Sequence, residues 1–325
     1  MAREPVRLRE VADIAGVTVS TASRALNRPE LVRPETRERV TQAARLLGYV
    51  PNRMARAVVT GHSETIVFIL PDLSLGLFHT VASAAQREAR ARKFELFVAD
   101  SMGNANREAD LIEAARGYAE GVILLWPQGE YTPERADPPV VAIGRRMQGA
   151  HSVILDQSNV VEVQLAHLRG LGHEQILWVD GQERYWAARE RRRHARRMAA
   201  EYPFALSAPV EPSFEGGIEI ADALDPSITA VMAFVDNQAL GIIARLAERG
   251  IRVPDDVSVI GNNDVMWARM ANPALTTLRT PFVEMGSAAV SLLLDNLPAT
   301  EAPQIVETMR SELVVRRSTA PPRRS

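Results

Sequence analysis

The sequence predicts an α/β protein: two doubly wound subdomains following a small, all-helical N-terminal segment. Three observations predict it. Residues 1–50 read as three short amphipathic helices. From residue 64 the texture changes to short, continuous apolar runs separated by amphipathic helices, the pattern of parallel sheets covered on both faces. The length, 325 residues, is about twice the ~150-residue prior for one domain.

The helical segment is justified first. LREVADIAG (8–16) places Leu8, Val11, Ala12 and Ala15 at helical spacing, with Gly16 as its stop. Thr18 is placed to cap a second helix, VSTASRALN (19–27), after a tight Gly-Val turn. Pro34 opens a third helix, with Val40, Ala43, Ala44 and Leu47 on one face and Gly48 as its stop. Two short helices joined this way form a helix-turn-helix signature. Pro51 then breaks the chain, and NRMARAVV (52–59) has the propensity for one more short helix.

Eight strands follow: TIVFIL (65–70), FELFVAD (94–100), GVILLW (121–126), PVVAIG (139–144), SVILD (152–156), QILWVD (175–180), TAVMAF (229–234) and VSVIG (257–261). Helices are expected over 78–92, 106–117, 159–170 and 238–249. Eight strands exceed one comfortable sheet, so two subdomains are expected, with a ligand cleft at the strand C-termini between them.

Composition narrows the chemistry. No cysteine occurs, which excludes disulfides, thiolate metal sites and cysteine nucleophiles. No apolar stretch is long enough to span a bilayer. MAREPVRLRE lacks the apolar core of a secretory signal, so a cytoplasmic location is expected. The net charge of −2 conceals an asymmetry. Residues 1–60 hold 11 Arg and 6 acidic residues, a net +5; the other 265 hold 27 basic and 34 acidic residues, a net −7. A basic arm on an acidic body suggests a nucleic-acid partner for the arm.

Five segments in fixed order, LREVADIAGVTVSTASRALN (8–27), VRPETRERVTQAARLLGYVPNRMAR (32–56), HLRGLGHEQILWVDG (167–181), ALGIIARLAERGIRVPDDVSVIGNND (239–264) and PALTTLRTP (273–281), resemble the lactose/galactose repressor (LacI/GalR) family of bacterial transcription regulators. The resemblance runs over essentially the whole chain. It implies a helix-turn-helix DNA-binding domain (1–50), a hinge (51–61), and two sensor subdomains of periplasmic-binding-protein type, 62–160 with 290–325 and 161–289. It implies a homodimer on double-stranded operator DNA. A small-molecule effector (a sugar, sugar phosphate or related metabolite) would change operator affinity by resetting the two subdomains.

The residues of the second helix fit that role chemically. Small or polar groups must stand at the end of a helix that enters the major groove. Val19, Ser20 and Arg24 suit this, and by resemblance Val19 and Ser20 hold the base-reading positions. Thr21, Ser23, Asn27, Thr36, Tyr49 and Asn52 carry hydroxyls or amides suited to phosphate contacts, or equally to capping and solvation. Arg7 replaces the family's usual Thr cap. NRMARAVV resembles the family's hinge helix, whose Leu wedges between base pairs in the minor groove. Val58 stands at that position, shorter and β-branched, and predicts a shallower wedge.

The resemblance also implies effector contacts from Phe78, Arg191, Asp236 and Asn263, to which strand-end position adds Asp156 and helical spacing adds His194. Phe78 suits ring stacking or core packing, and Asp156 ends a strand where it can accept ligand hydroxyls. Arg191 matches the family's effector-clamping arginine, with His194 expected on the same side of its helix. Asn263 replaces a carboxylate, making the cleft less anionic and pointing to an effector with an anionic group.

Two other classes compete. An enzyme is disfavoured: there is no Gly-x-Gly-x-x-Gly after a strand, no Gly-Lys-Ser/Thr loop and no Gly-x-Ser-x-Gly elbow. His167 and His173 suit a structural role, and neither a metal nor a cofactor is expected. A solute-binding protein, or an enzyme with a vestigial DNA-binding arm, would share the body but leave the first 60 residues unexplained.

Overall fold

The computed structural model describes residues 6–49, 62–74, 76–130, 137–297 and 303–323. The expected hinge, 51–61, with Asn52 and Val58, lies outside the described residues. The chain divides into two compact units, residues 1–65 with 117–120 and the remainder.

The small unit carries helices α1 (Leu8–Ala15), α2 (Val19–Asn27) and α3 (Pro34–Leu47). Val11, Ala12, Ala15, Ala22, Ala25, Val40, Ala43 and Ala44 form its core. So many alanines let three short helices approach closely. Gly16 (φ +62°) ends α1 and Gly48 (φ +67°) ends α3, as their left-handed backbone requires. Thr18 Oγ1 accepts the Thr21 N–H at 3.1 Å, capping α2. At α1 the Arg7 N–H donates to Glu10 Oε1 at 3.0 Å.

The large unit begins with β1 (Thr65–Leu70), α4 (Gly76–Ala91), β2 (Glu95–Asp100), α5 (Ala105–Ala115), β3 (Gly121–Leu125), β4 (Val140–Ile143) and β5 (His151–Leu155). It continues with α6 (Gln157–Gly170), β6 (Ile176–Trp178), α7 (Trp186–Glu201), β7 (Ala205–Leu206), α8 (Phe214–Asp222) and β8 (Ala230–Met232). Then come α9 (Asp236–Glu248), β9 (Ser258–Asn263), α10 (Met266–Met270), β10 (Thr276–Arg279), α11 (Phe282–Asp295), β11 (Val306–Met309) and β12 (Glu312–Val314).

These strands form two six-stranded sheets, β2-β1-β3-β4-β5-β11 and β7-β6-β8-β9-β10-β12. The first five strands of each follow the same 2-1-3-4-5 order, the doubly wound arrangement that leaves a crevice at the strand C-termini. β12 runs antiparallel to β10; β9 and β10 are parallel, as are β5 and β11. Ile66, Phe68 and Ile123 of the first sheet pack against α4 and α11 through Val81, Ala85, Met285 and Ala289. Trp178, fully buried, packs between the second sheet and α6 and α7 through Leu165 and Ala195.

All eight expected strands are present. Among the described residues four more strands occur that were not expected: β7, β10, β11 and β12. β10 is interior, yet its sequence is TTLR. Thr276 and Thr277 are both 0% exposed, tolerated because Thr277 Oγ1 donates to Asp236 at 2.5 Å and Thr276 Oγ1 lies 3.1 Å from Thr319 Oγ1.

The chain passes between the sheets three times, at 155–157, 279–282 and 309–312. The sequence assigned 290–325 to the first subdomain. Instead α11 packs on the first sheet from Phe282 onward, and β12 returns to the edge of the second. His167 and His173 hold that returning segment: His167 Nε2 meets Thr319 Oγ1 at 2.9 Å, and His173 Nε2 meets the Ala320 carbonyl at 2.8 Å.

α8 and α9 cross through glycines. A Cβ on Gly241 would stand 2.0 Å from the Phe214 carbonyl oxygen. Gly241→Ala is expected to destabilise the large unit by about 1–3 kcal/mol through forced separation of the two helices, read as a lower melting temperature. An unchanged melting temperature would show that the helices do not cross this closely.

Candidate functional site

Two surfaces carry the sequence-predicted residues. On the small unit, α2 divides cleanly. Ala22 and Ala25 are buried in the core, while Val19 and Ser20 are exposed in its first turn and Arg24 in its last. Thr21, Ser23, Asn27 and Thr36 are half-buried. The Asn27 amide lies 3.4 Å from Ser23 Oγ, and Tyr49 packs against the helical core.

On the large unit, a cavity of about 830 Å³ opens between the two sheets. Its walls are largely residues that follow strand C-termini: Trp126 after β3, Arg145 after β4, Gln157 after β5, Phe234 after β8 and Thr280 after β10. Parallel strands all end on the same edge, so both sheets direct their last residues into one space.

The first-sheet wall is aromatic. Phe78 and Trp126 have ring centroids 5.3 Å apart, and Trp126 meets Phe282 edge-on at 5.9 Å. Trp126 fits because Gly144 (φ +98°) has no side chain; a Cβ there would stand 2.7 Å from the indole. Phe78 therefore both joins the core and lines the cavity.

Beside that wall, Arg145 is 6% exposed. It pairs with Glu130 Oε1 at 3.1 Å and donates to the Gly129 carbonyl. Its Nε–H is buried without an acceptor among the described residues. Glu108, on α5, holds this loop by accepting the Gln128 N–H at 3.1 Å and the Gly129 N–H at 3.4 Å.

Arg191, on α7, is 5% exposed at the opposite wall. Its Nε donates to Gln157 Oε1 at 2.7 Å and an Nη to the Phe234 carbonyl at 2.7 Å. The guanidinium lies 4.5 Å from the Phe234 ring centroid. Burial lowers its pKa to about 9, so it remains charged at neutral pH.

Asp236 and Asn263 also line the cavity. Both Asp236 oxygens are engaged within the protein, Oδ1 by Thr277 and Oδ2 by the Val265 N–H at 2.8 Å. Asp236 thus staples the β9–α10 turn to β10. Asn263 adopts φ +122°, an unfavourable backbone for a residue with a side chain. Its Oδ1 accepts from Asn262 at 2.9 Å and Thr280 at 3.3 Å.

Two expected residues stand elsewhere. Asp156 is the N-cap of α6: its Oδ1 accepts from Ser158 N and Oγ at 3.1 and 2.6 Å and from Asn159 N at 3.2 Å. Its other oxygen faces Arg310 at 3.3 Å. A strand-end carboxylate that starts the next helix is claimed by that helix's free N–H groups. His194 lines a separate hollow of about 390 Å³ and lies 2.9 Å from Glu162 Oε1. Three helical residues advance the side chain by about 300°, leaving His194 some 60° from Arg191, enough to turn it toward the neighbouring helix α6.

Trp126, Arg145, Gln157 and Phe234 were missed. Their signal was positional: each stands within two residues of a strand C-terminus, where doubly wound sheets bind ligands. Among the described residues no cluster of metal-ligating side chains and no helix long and apolar enough to cross a membrane is found.

Comparison with known proteins agrees with this division. Residues 7–52 match the model for bacterial regulatory proteins of the lacI family, and residues 165–319 match the periplasmic binding protein-like domain. The chain is 32% identical over 309 residues to the HTH-type transcriptional regulator GalS of Salmonella typhimurium, covering 91% of each chain. It is 28% identical over 324 residues to the HTH-type transcriptional repressor PurR of Vibrio parahaemolyticus, covering 95% of this chain and 97% of that one. Its fold is similar to that of the Lac repressor dimer bound to operator and the anti-inducer ONPF, with a TM-score of 0.85, 24% identity, and coverage of 98% and 100%.

Asp236 makes the cavity's pH dependence testable. Burial raises its pKa to about 6, against the lowering pull of its hydrogen bonds from Thr277 and Val265. The folded state thus holds this proton more tightly than the unfolded chain, whose Asp titrates near about 4. Its stabilising contribution is full below that value and is lost as pH rises through about 6. The unfolding free energy of the wild type relative to Asp236→Asn should therefore fall between about pH 4 and 6. A pH-independent difference would contradict the shift.

Proposed function

The chain belongs to the LacI family of bacterial regulatory proteins, and we propose that it is a sequence-specific transcriptional repressor whose operator affinity is set by a small molecule in the cleft between its two sheets. The observation that carries this reading is the division of α2. Its alanines are buried, while Val19 and Ser20 are exposed at the end that a major-groove helix presents to base edges, and Arg24 is exposed about one turn further along. Arg24 reads guanine O6 and N7; Val19 and Ser20 read neighbouring base edges. Thr21, Ser23, Asn27, Thr36, Tyr49 and Asn52 set the register by contacting phosphates, and Val58 enters the minor groove from the hinge.

The repressor works as a homodimer on a pseudo-palindromic site. Two exposed apolar features support pairing. Edge strand β2 exposes Phe97 and Val98, and the short helix α10 exposes Met266, Trp267 and Met270, each of these three more than half exposed. Such groups on a monomer favour burial against a second copy. The effector is held by Phe78, Trp126, Arg145, Arg191 and Asn263, with Asp236 shaping the floor. Its binding favours one setting of the two sheets over another, and the operator favours the same or the opposite setting. That difference in affinity couples the two sites. The protein acts in the cytoplasm, where the operator is, and performs no catalysis.

Selection of DNA bound by the full-length chain from a random pool tests the reading. A symmetric site is expected; loss of no binding on deletion of residues 1–61 would overturn it. On the selected site, Arg24→Ala should cost about 1–3 kcal/mol and relax preference at one base pair in each half. Replacing a phosphate-contacting residue should weaken all sequences alike. Trp267→Asp should shift sedimentation from dimer to monomer and weaken operator binding; an unchanged dimer would remove α10 from the interface.

A further inference from the structure

We infer that the effector carries an anionic group, a carboxylate or a phosphate, held between Arg191 and Arg145. The inference rests on the cleft being the effector site and names the chemistry of what enters it. Arg191 is a guanidinium almost wholly removed from water, and its partners are an amide oxygen, a carbonyl oxygen and a ring face, all neutral. No carboxylate pairs with it among the described residues. Burying a charge without a counter-charge is unfavourable, and such a charge in a ligand cavity is matched by an anion that enters it.

Arg145 supplies a second, independent observation from the other sheet. Its side chain is 8% exposed, and its Nε–H has no acceptor among the described residues. Glu108 and the 128–130 loop hold it rigidly, so this donor is pre-positioned at the cavity wall.

The carboxylates lining the cavity do not supply the missing charge. Asp100 accepts the Leu73 and Met102 N–H groups at 3.1 and 2.7 Å, and Asp72 accepts the Ser74 N–H at 2.8 Å, in rim loops. Glu130 is 92% exposed and is paired with Arg145. Asp236 is consumed by Thr277 and Val265. At the mouth, Arg184 and Arg189 add positive charge; Arg184 pairs with Glu211, and Arg189 donates to the Glu183 carbonyl at 2.8 Å, with no carboxylate partner among the described residues. The Phe78, Trp126 and Phe282 wall accommodates the apolar face of the same molecule, so an acid built on a ring fits the whole cavity.

The test uses the full-length protein and matched probes. Thermal unfolding is followed with sodium phosphate, sodium acetate and sodium chloride at equal ionic strength. It is then repeated with the pairs galactose and galacturonate, and ribose and ribose 5-phosphate. Phosphate or acetate, and at least one acidic sugar, should raise the melting temperature by a few degrees, while the neutral partner does not. Which acid acts distinguishes carboxylate from phosphate. The shift should vanish in Arg191→Gln, persist in part in Arg191→Lys, and shrink in Arg145→Gln; this last variant reads the same site if Arg191→Gln does not fold. Equal shifts from a neutral sugar and its acid, or acid shifts that survive in the arginine variants, overturn the inference. So does the absence of any arginine-dependent anion shift. Operator affinity measured in parallel separates the two readings. A neutral sugar that changes operator affinity leaves the regulator reading standing and removes the anion. An arginine-dependent acid shift without any change in operator affinity does the reverse.

Discussion

Three short passages of chain between the two sheets are the constraint on which the rest of the large unit depends. They lie side by side and are bonded to one another. Asp156 N–H donates to the Met309 carbonyl at 2.8 Å, Ser311 N–H to Asn159 Oδ1 at 2.9 Å, and Arg310 faces Asp156 at 3.3 Å. Thr280, in the middle passage, reaches Asn263 and Ser311. Three parallel tethers resist separation of the sheets while leaving a narrow set of hinge-like adjustments. The cavity is the space those tethers hold open.

That arrangement explains why polar and charged groups tolerate burial there. Each sheet is parallel over most of its width, so its carbonyl-bearing strand ends converge on one edge, and loops from both edges meet. Thr277, Asp236 and the Val265 N–H satisfy one another and fix the turn that carries Asn263. Glu108 fixes the loop that carries Arg145. The guanidiniums are what this packing leaves incompletely matched, and a partly satisfied buried polar group is costly in a protein interior. A binding protein gains from the mismatch, because the ligand completes it.

The strands legible in the sequence were those whose burial on both faces demanded unbroken apolar runs. β10 was hidden because Thr276 and Thr277 replace hydrocarbon with hydroxyls satisfied inside the sheet. β11 and β12 were hidden because each is a sheet edge, so VETM and ELV keep charged and polar side chains half in water. The candidate site was legible unevenly for a related reason. Phe78 and Arg191 stand where a motif names them, and the structure brings both to the cavity. Asp156 and His194 were reasoned from a strand end and from helical spacing, and each found a nearer partner, a helix N-terminus for one and Glu162 for the other. Trp126 and Arg145 belong to no motif and are functional candidates only because a glycine and a buried glutamate hold them in place.

Local order is what the sequence determined by itself: the three-helix arm with its glycine stops and threonine cap, its positive charge, the alternation of strand and helix, and membership of a family of regulators. These features follow from interactions within a few residues, or from patterns spanning the whole chain. Tertiary structure alone decided which residues share the cleft. It sent the last strand back to the second sheet, turned Asp156 and His194 to other work, and set two arginines from different sheets at the walls of one cavity. The physical reason is that a side chain's role depends on which donors, acceptors and charges compete for it, and those competitors lie tens to hundreds of residues away along the chain.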